Sequence, residues 1–190
     1  MHLTAAFTAH PPANRAKTYA ATAGAVAATA VLGGLAVDAD SPWYRGLEKP
    51  RWQPPSRAFG LVWTPLYASI AAASGRALLR ARPEQRRRLI GSLAGNLVLN
   101  AGWNWLFFGC RSTRAGLVGT LLLDAGNVHL IRRTAAADRP AARALLPYAA
   151  WCLFATALNA DIAYRNRARG AGRERSPGRL SRHATAVFPR

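Results

Sequence analysis

Apolar runs at 18–37, 58–79, 89–109, 115–131 and 145–164 divide this chain of 190 residues into alternating stretches of hydrocarbon and charge. Each run is close to the ~20 residues that an α-helix needs to cross the hydrocarbon core of a bilayer. The first stops at Asp38, the second at Arg80 and Arg82. The third is entered from Arg86, Arg87 and Arg88, the fourth closes on Arg132 and Arg133, and the fifth runs into Arg165, Arg167 and Arg169. Peptide N–H and C=O groups cannot face lipid unbonded, so spanning segments are helices or closed barrels. A barrel would show alternating segments of about ten residues, and none is present. The expected fold class is an all-α membrane protein, a five-transmembrane-helix bundle. Arg76 is the one cation well inside a run, and its long stem suits it to reach back to the head groups. Pro65 predicts a kink in the second helix. Pro147 falls in the first turn of the fifth, where its missing N–H costs little.

The domain organisation follows: an N-terminal extension at 1–17, a five-helix domain at 18–166 with a first loop at 38–57, and a basic tail at 167–190. The net charge of +18 comes nearly all from arginine, with glutamate only at 48, 84 and 174. Such a charge calls for an anionic partner. Its alternation with apolar runs favours membrane lipids over nucleic acid. The tail is rich in Arg, Gly and Ser and is expected to be disordered against anionic head groups. It lacks the aromatic platforms that single-stranded nucleic acid would use, apart from Phe188.

Catalytic and metal chemistry find little support. No Ser–His–Asp set, carboxylate pair or phosphate-binding glycine loop is present. Cys110 and Cys152 make neither a zinc motif nor a disulfide framework. His129 lies at a helix end, where an interfacial role explains it. Asp124 and Asp161 are acids inside apolar runs and so are functional candidates, although Asp161 is within reach of Arg165.

The polar residues that remain are arranged. Asn96, Asn100 and Asn104 recur every fourth position on the third helix and form one stripe flanked by Trp103 and Trp105. An amide in hydrocarbon must be bonded, so the stripe faces protein, water or ligand; interhelical bonding and ligand contact both fit. On the fifth helix Trp151, Ala155 and Leu158 share a face, with Asn159 beside them, and the small Ala155 leaves room for a flat apolar ligand or for close packing. The loop at 38–57 holds Trp43, Tyr44 and Trp52 among Pro42, Pro50, Pro54 and Pro55. It reads as an interfacial aromatic belt or as a lid over a cavity. Gly91 and Gly95 at small-xxx-small spacing let helices approach closely, within one chain or between two.

Trp43-Tyr44-x-x-Leu47-x-Lys49-Pro50-x-Trp52-x-Pro54-Pro55 resembles the first loop of the tryptophan-rich sensory protein (translocator protein) family. Val62-Trp63-x-x-Leu66-Tyr67, Asn96-x-x-x-Asn100-x-x-Trp103, Phe107-Phe108-Gly109 and Pro147-Tyr148-x-x-Trp151-x-x-Phe154-Ala155-x-x-Leu158-Asn159 follow in family order. Arg57 and Ala163 depart from the aromatics usual in the family, which weakens sterol binding more than tetrapyrrole binding. The resemblance implies a five-helix bundle with a pocket under the first loop that takes porphyrins or haem as ligand, and in many members sterols or benzodiazepine-type molecules. Carried over by position, the pocket residues are Trp43, Trp52, Trp63, Tyr67, Asn96, Asn100, Trp103, Trp151, Ala155 and Leu158. No obligatory cofactor, metal site or catalytic residue is implied.

The expected function is a tetrapyrrole-binding membrane receptor, sensor or transporter. The alternatives are light- and oxygen-dependent porphyrin degradation, or a structural membrane protein whose tail recruits partners. A homodimer through the third helix and a bacterial cell-membrane location are expected. Flanking charge does not resolve the topology, and the resemblance points to a cytoplasmic C-terminus.

Overall fold

The computed structural model describes residues 12–167, and the expectations for most of the N-terminal extension and the tail beyond Arg167 lie outside them. The regular elements of the described chain are all helical: α1 (Pro12–Gly34), α2 (Pro42–Arg45), α3 (Ser56–Arg80), α4 (Pro83–Asn104), a π turn (Trp105–Gly109), α5 (Thr113–Ala137), α6 (Arg139–Ala144) and α7 (Leu146–Arg165). The ends of the apolar runs set the expected limits; local bonding sets the observed ones. Pro12 opens α1 well before the apolar run, and the helix unwinds after Gly34 into turns closed by Ala36 N to Gly33 O at 3.2 Å and Val37 N to Gly34 O at 3.0 Å. At α5, Arg132 and Arg133 do not close the helix, which runs on to Ala137 and stops at Asp138, a residue with extended backbone. Asp138 then caps α6, its Oδ1 accepting the Ala141 N–H at 2.8 Å.

That capping carboxylate is 1% exposed and takes Arg76 Nε at 3.0 Å and Arg80 Nε at 3.1 Å. Arg76 is therefore an ion-pair partner and not a side chain stretched towards head groups. The pair joins the end of α3 to the α5–α6 corner. Burial would raise the Asp138 pKa, yet the Ala141 N–H and the two guanidinium groups outweigh it and hold the carboxyl below its ordinary range.

The core runs along the bundle through Ile70, Ala77, Leu89, Leu130, Leu145 and Tyr148, each at most 1% exposed. Through it passes a continuous chain of side-chain hydrogen bonds. Tyr67 OH donates to Asn100 Oδ1 at 3.0 Å, Asn100 Nδ2 donates to Tyr148 OH at 3.2 Å, Tyr148 OH donates to Asn96 Oδ1 at 3.0 Å, and Asn96 Nδ2 donates to Asn127 Oδ1 at 2.7 Å. Buried amides demand such partners. Two members of the asparagine stripe, Asn96 and Asn100, thus bind α4 to α3, α5 and α7.

Among the described residues, only the stretch Arg139–Arg165 is long and apolar enough by composition alone to cross a membrane. The other long helices are diluted by Gly, Thr, Ser, Asn and charged residues, so composition alone does not reproduce the expected count of five.

Candidate ligand cavity

The first loop, α3, α4 with its π turn, and α7 surround a cavity of about 350 Å³, with the end of α1 at one side. Its walls are made chiefly by Tyr44, Phe59, Trp63, Tyr67, Trp103, Phe107 and Phe108, with Ala155 and Leu158 from α7. A smaller void of about 40 Å³ lies next to it, bordered by Trp63, Asn100, Trp103, Trp151 and Ala155.

The π turn shapes the aromatic wall. Widening the helix to i→i+5 bonding, with Cys110 N on Trp105 O at 2.8 Å, changes how successive side chains project. Trp103 and Phe107 stack at 5.6 Å between ring centroids and 20° between planes, and Phe108 meets Phe107 edge-on at 4.9 Å. Trp105 turns outward, its Nε1 donating to Leu32 O at 3.0 Å. Gly116 of α5 makes this possible, because a Cβ there would collide with the Phe107 ring.

The loop is fastened over the cavity from α7. Just beyond that helix, Asn166 is 6% exposed and clasps the loop backbone: Glu48 N donates to its Oδ1 at 3.1 Å and its Nδ2 donates to Glu48 O at 2.9 Å. Trp52 Nε1 donates to Asp161 Oδ2 at 3.2 Å, while Asp161 Oδ1 takes Arg165 Nε at 2.6 Å. Trp52 also packs edge-on against Phe154 at 5.7 Å. Within the loop, Gln53 Nε2 donates to Tyr44 OH at 3.2 Å and Lys49 Nζ to Tyr44 O at 2.5 Å. The ammonium also lies 4.3 Å from the Tyr44 ring centroid. Burial pushes the Tyr44 phenol up, against the lowering effect of Gln53, and pushes the Lys49 ammonium down.

The ten residues named from sequence are distributed as follows. Trp63, Tyr67, Trp103, Ala155 and Leu158 line the main cavity. Asn100 and Trp151 border the smaller void, with Trp151 set against Phe154 at 5.0 Å and Phe59 at 5.9 Å. Trp43, Trp52 and Asn96 line neither. Trp43 packs edge-on against Phe107 at 5.4 Å and so buttresses the wall from behind. Trp52 is 48% exposed and acts in fastening the loop. Asn96 is occupied by the core hydrogen-bond chain. Reasoning from sequence missed Tyr44, Gln53, Phe59, Asn104, Phe107, Phe108, Asn159 and Ile162 as lining residues. Asn104 was visible as the third member of its stripe, and Asn159 and Ile162 lie one helical turn after Ala155 and Leu158. The π turn, which brings in the phenylalanines, has no signal in the sequence.

Comparison with known proteins gives the family. The model of the TspO/MBR family matches residues 21–165. The human translocator protein is 36% identical over 119 residues, covering 62% of this chain and 70% of the relative. The tryptophan-rich protein TspO of Chlorobaculum tepidum is 36% identical over 121 residues, covering 63% and 77%. The tryptophan-rich sensory protein of Cereibacter sphaeroides is 31% identical over 142 residues, covering 75% and 85%. The matched region takes in all of the cavity-forming elements from α2 to α7, and this membrane protein belongs to the TspO/MBR family.

Proposed function

We propose that this protein is a multi-pass receptor, sensor or transporter that takes a porphyrin- or haem-type tetrapyrrole into the cavity beneath its first loop. The observation that carries the reading is the wall itself. Rigid aromatic side chains from the loop, α3 and the α4 region with its π turn converge on one volume, although they lie far apart in sequence. That volume falls within the range of ~300–1,000 Å³ in which small-molecule sites occur. Flat aromatic ligands gain stacking and edge contacts of about 0.5–1.5 kcal/mol per ring beyond area burial. Arg45 and Arg51 are exposed on the covering loop, suited to meet propionates that stay outside the cavity.

The membrane arrangement belongs to the same proposal. α1, α3, α4 with its π turn, α5 and α7 serve as five spans. Each carries large apolar side chains on its outer surface, such as Val31, Leu61, Val98, Val118 and Leu153, all 55–73% exposed. An apolar belt on every long helix is costly in water and favourable in lipid.

The test is an absorbance titration of the full chain in lipid nanodiscs with protoporphyrin, in the dark and under illumination. A saturable, stable spectral shift is expected. Trp63→Ala, in the cavity wall, is expected to weaken it by about tenfold or more, as loss of an anchor worth over ~1.4 kcal/mol requires. Loss of porphyrin absorbance in light, beyond that of free porphyrin, would assign a degradative activity instead. The absence of any shift, or unaltered binding by folded Trp63→Ala and Trp151→Ala variants, would remove the cavity from consideration as a tetrapyrrole site.

A further inference from the structure

A second open volume lies between α4 and α5, towards the end of α4 remote from the π turn. It is a groove of about 510 Å³. Three basic side chains stand at its mouth: Arg88 near the start of α4, and His129 and Arg133 near the end of α5. Arg88 has Glu84 at 3.7 Å, but the two side chains are 62% and 77% exposed, and such a surface pair is worth little. Among the described residues neither His129 nor Arg133 makes an ion pair. Two guanidinium groups that border one volume repel each other unless an anion lies between them.

Away from the mouth the groove turns apolar. Gly91 and Gly95 form one side, and a Cβ added at either meets no described atom within 4 Å. Gly126 of α5 lets Leu99 close the far end, 3.1 Å from where a Cβ would stand. The polar side chains along the way are already bonded. Ser92 Oγ donates to Arg88 O at 2.9 Å, while Asn96 donates to Asn127 at 2.7 Å and accepts from Tyr148 at 3.0 Å. Arg88 to Leu99 is eleven residue steps, about 16 Å at ~1.5 Å per step. That is close to one leaflet of a hydrocarbon core ~30 Å thick.

We propose that this groove holds one anionic phospholipid. Its phosphate sits between Arg88 and Arg133, with His129 as a further donor, and one acyl chain lies along Gly91 and Gly95 as far as Leu99. The guanidinium fork matches phosphate oxygens, and basic pockets between transmembrane helices suit acidic headgroups. The glycines supply the room, which a larger side chain would fill. A zwitterionic lipid brings a quaternary ammonium to a mouth that is already cationic, so the groove selects lipids of net negative charge. A second copy on this face of α4 packs over the seated lipid. The inference rests on α4 and α5 crossing the membrane, and not on what enters the main cavity.

The test mixes the full chain in detergent with dioleoyl phosphatidylglycerol or dioleoyl phosphatidylcholine, and counts the lipid retained on the monomer by native mass spectrometry. One phosphatidylglycerol per chain is expected to bind about tenfold more tightly than phosphatidylcholine. Arg88→Gln and Arg133→Gln are each expected to weaken it by about tenfold, as loss of a charge-assisted bond requires. Gly95→Leu, which alters no charge, is expected to weaken it as well, and Gly91→Leu gives the same reading should that variant not fold. Arg86→Gln with Arg87→Gln removes two exposed charges outside the groove and is expected to leave the first lipid in place. Glycerol 1-phosphate, the headgroup phosphate without chains, is expected not to displace the lipid at equal concentration. Equal retention of the two lipids, an equal loss in the Arg86 and Arg87 double variant, no loss on filling the glycine side, or displacement by glycerol 1-phosphate would each overturn the proposal. Phosphatidylglycerol retention by a protein that takes no protoporphyrin keeps this inference and rejects the tetrapyrrole, and the opposite pattern does the reverse.

Discussion

Asn166→Ala should unfasten the first loop. The Asn166 side chain makes both available bonds to the backbone of Glu48, at 3.1 and 2.9 Å, and a third to Ile162 O at 2.8 Å that holds it in place. A net contribution of about 0.5–1.5 kcal/mol for each of the two loop bonds gives roughly 1–3 kcal/mol in favour of the closed loop. Removing them should therefore raise the open population by about 5- to 150-fold. Trp52 and Asp161 hold the loop at a second point, so the upper part of that range requires both fastenings to be lost. Trypsin supplies the assay, because Arg45 and Arg51 lie in the loop and Arg51–Trp52 becomes a substrate when it opens. When closing is fast compared with cleavage, the cleavage rate follows the open population. The expected result is faster cleavage after Arg51 in Asn166→Ala, a smaller increase in Asp161→Asn, and the largest in the double variant. Cleavage at the parent rate in a folded Asn166→Ala protein would show that the loop is held by its aromatic packing on Phe107 and Phe154, and that the clasp is incidental.

Three further outcomes follow from the geometry. Tyr148→Phe removes the hydroxyl that links Asn100 to Asn96 and leaves two buried amides short of a partner. Stability should fall by about 1–3 kcal/mol, read as a lower thermal midpoint in detergent, and an unchanged midpoint would argue against the chain as a structural element. Asp138 has a depressed pKa in the folded protein. Its contribution is therefore present above the ordinary carboxylate pKa and is lost as the pH falls through the lower folded value. Asp138→Asn should be less stable than the parent at neutral pH and should lose less stability on acidification; parallel pH profiles would contradict this. Among the described residues, no atom lies within 4 Å of a Cβ added at Gly91 or Gly95, so the described helices leave their face unfilled. A second copy packed over the lipid in the groove is the proposed neighbour, and Gly95→Leu should shift crosslinked protein towards monomer, whereas an unchanged pattern would leave that face to lipid alone.

The sequence alone determined the helical class, because long apolar runs between arginines admit no other backbone state in lipid. It also marked the aromatic loop, the asparagine stripe, and the face of Trp151, Ala155 and Leu158, since those patterns need only helical periodicity or local composition. Tertiary structure decided what each of these residues does. Asn96 and Asn100 lie on the same stripe as Asn104, yet Tyr148 reaches the first two and ties them into the core, while Asn104 borders the cavity. Trp52 was expected beside a ligand but fastens the loop, because its partners Asp161 and Phe154 come from a helix more than a hundred residues away. Arg76 was assigned to head groups because its acceptor, Asp138, lies 62 positions on and is brought close only by the α5–α6 corner. The π turn that places Phe107 and Phe108 in the wall depends on Gly116 of a neighbouring helix giving the ring room. Periodicity shows which face of a helix is apolar; the element that packs against that face is a property of the folded chain.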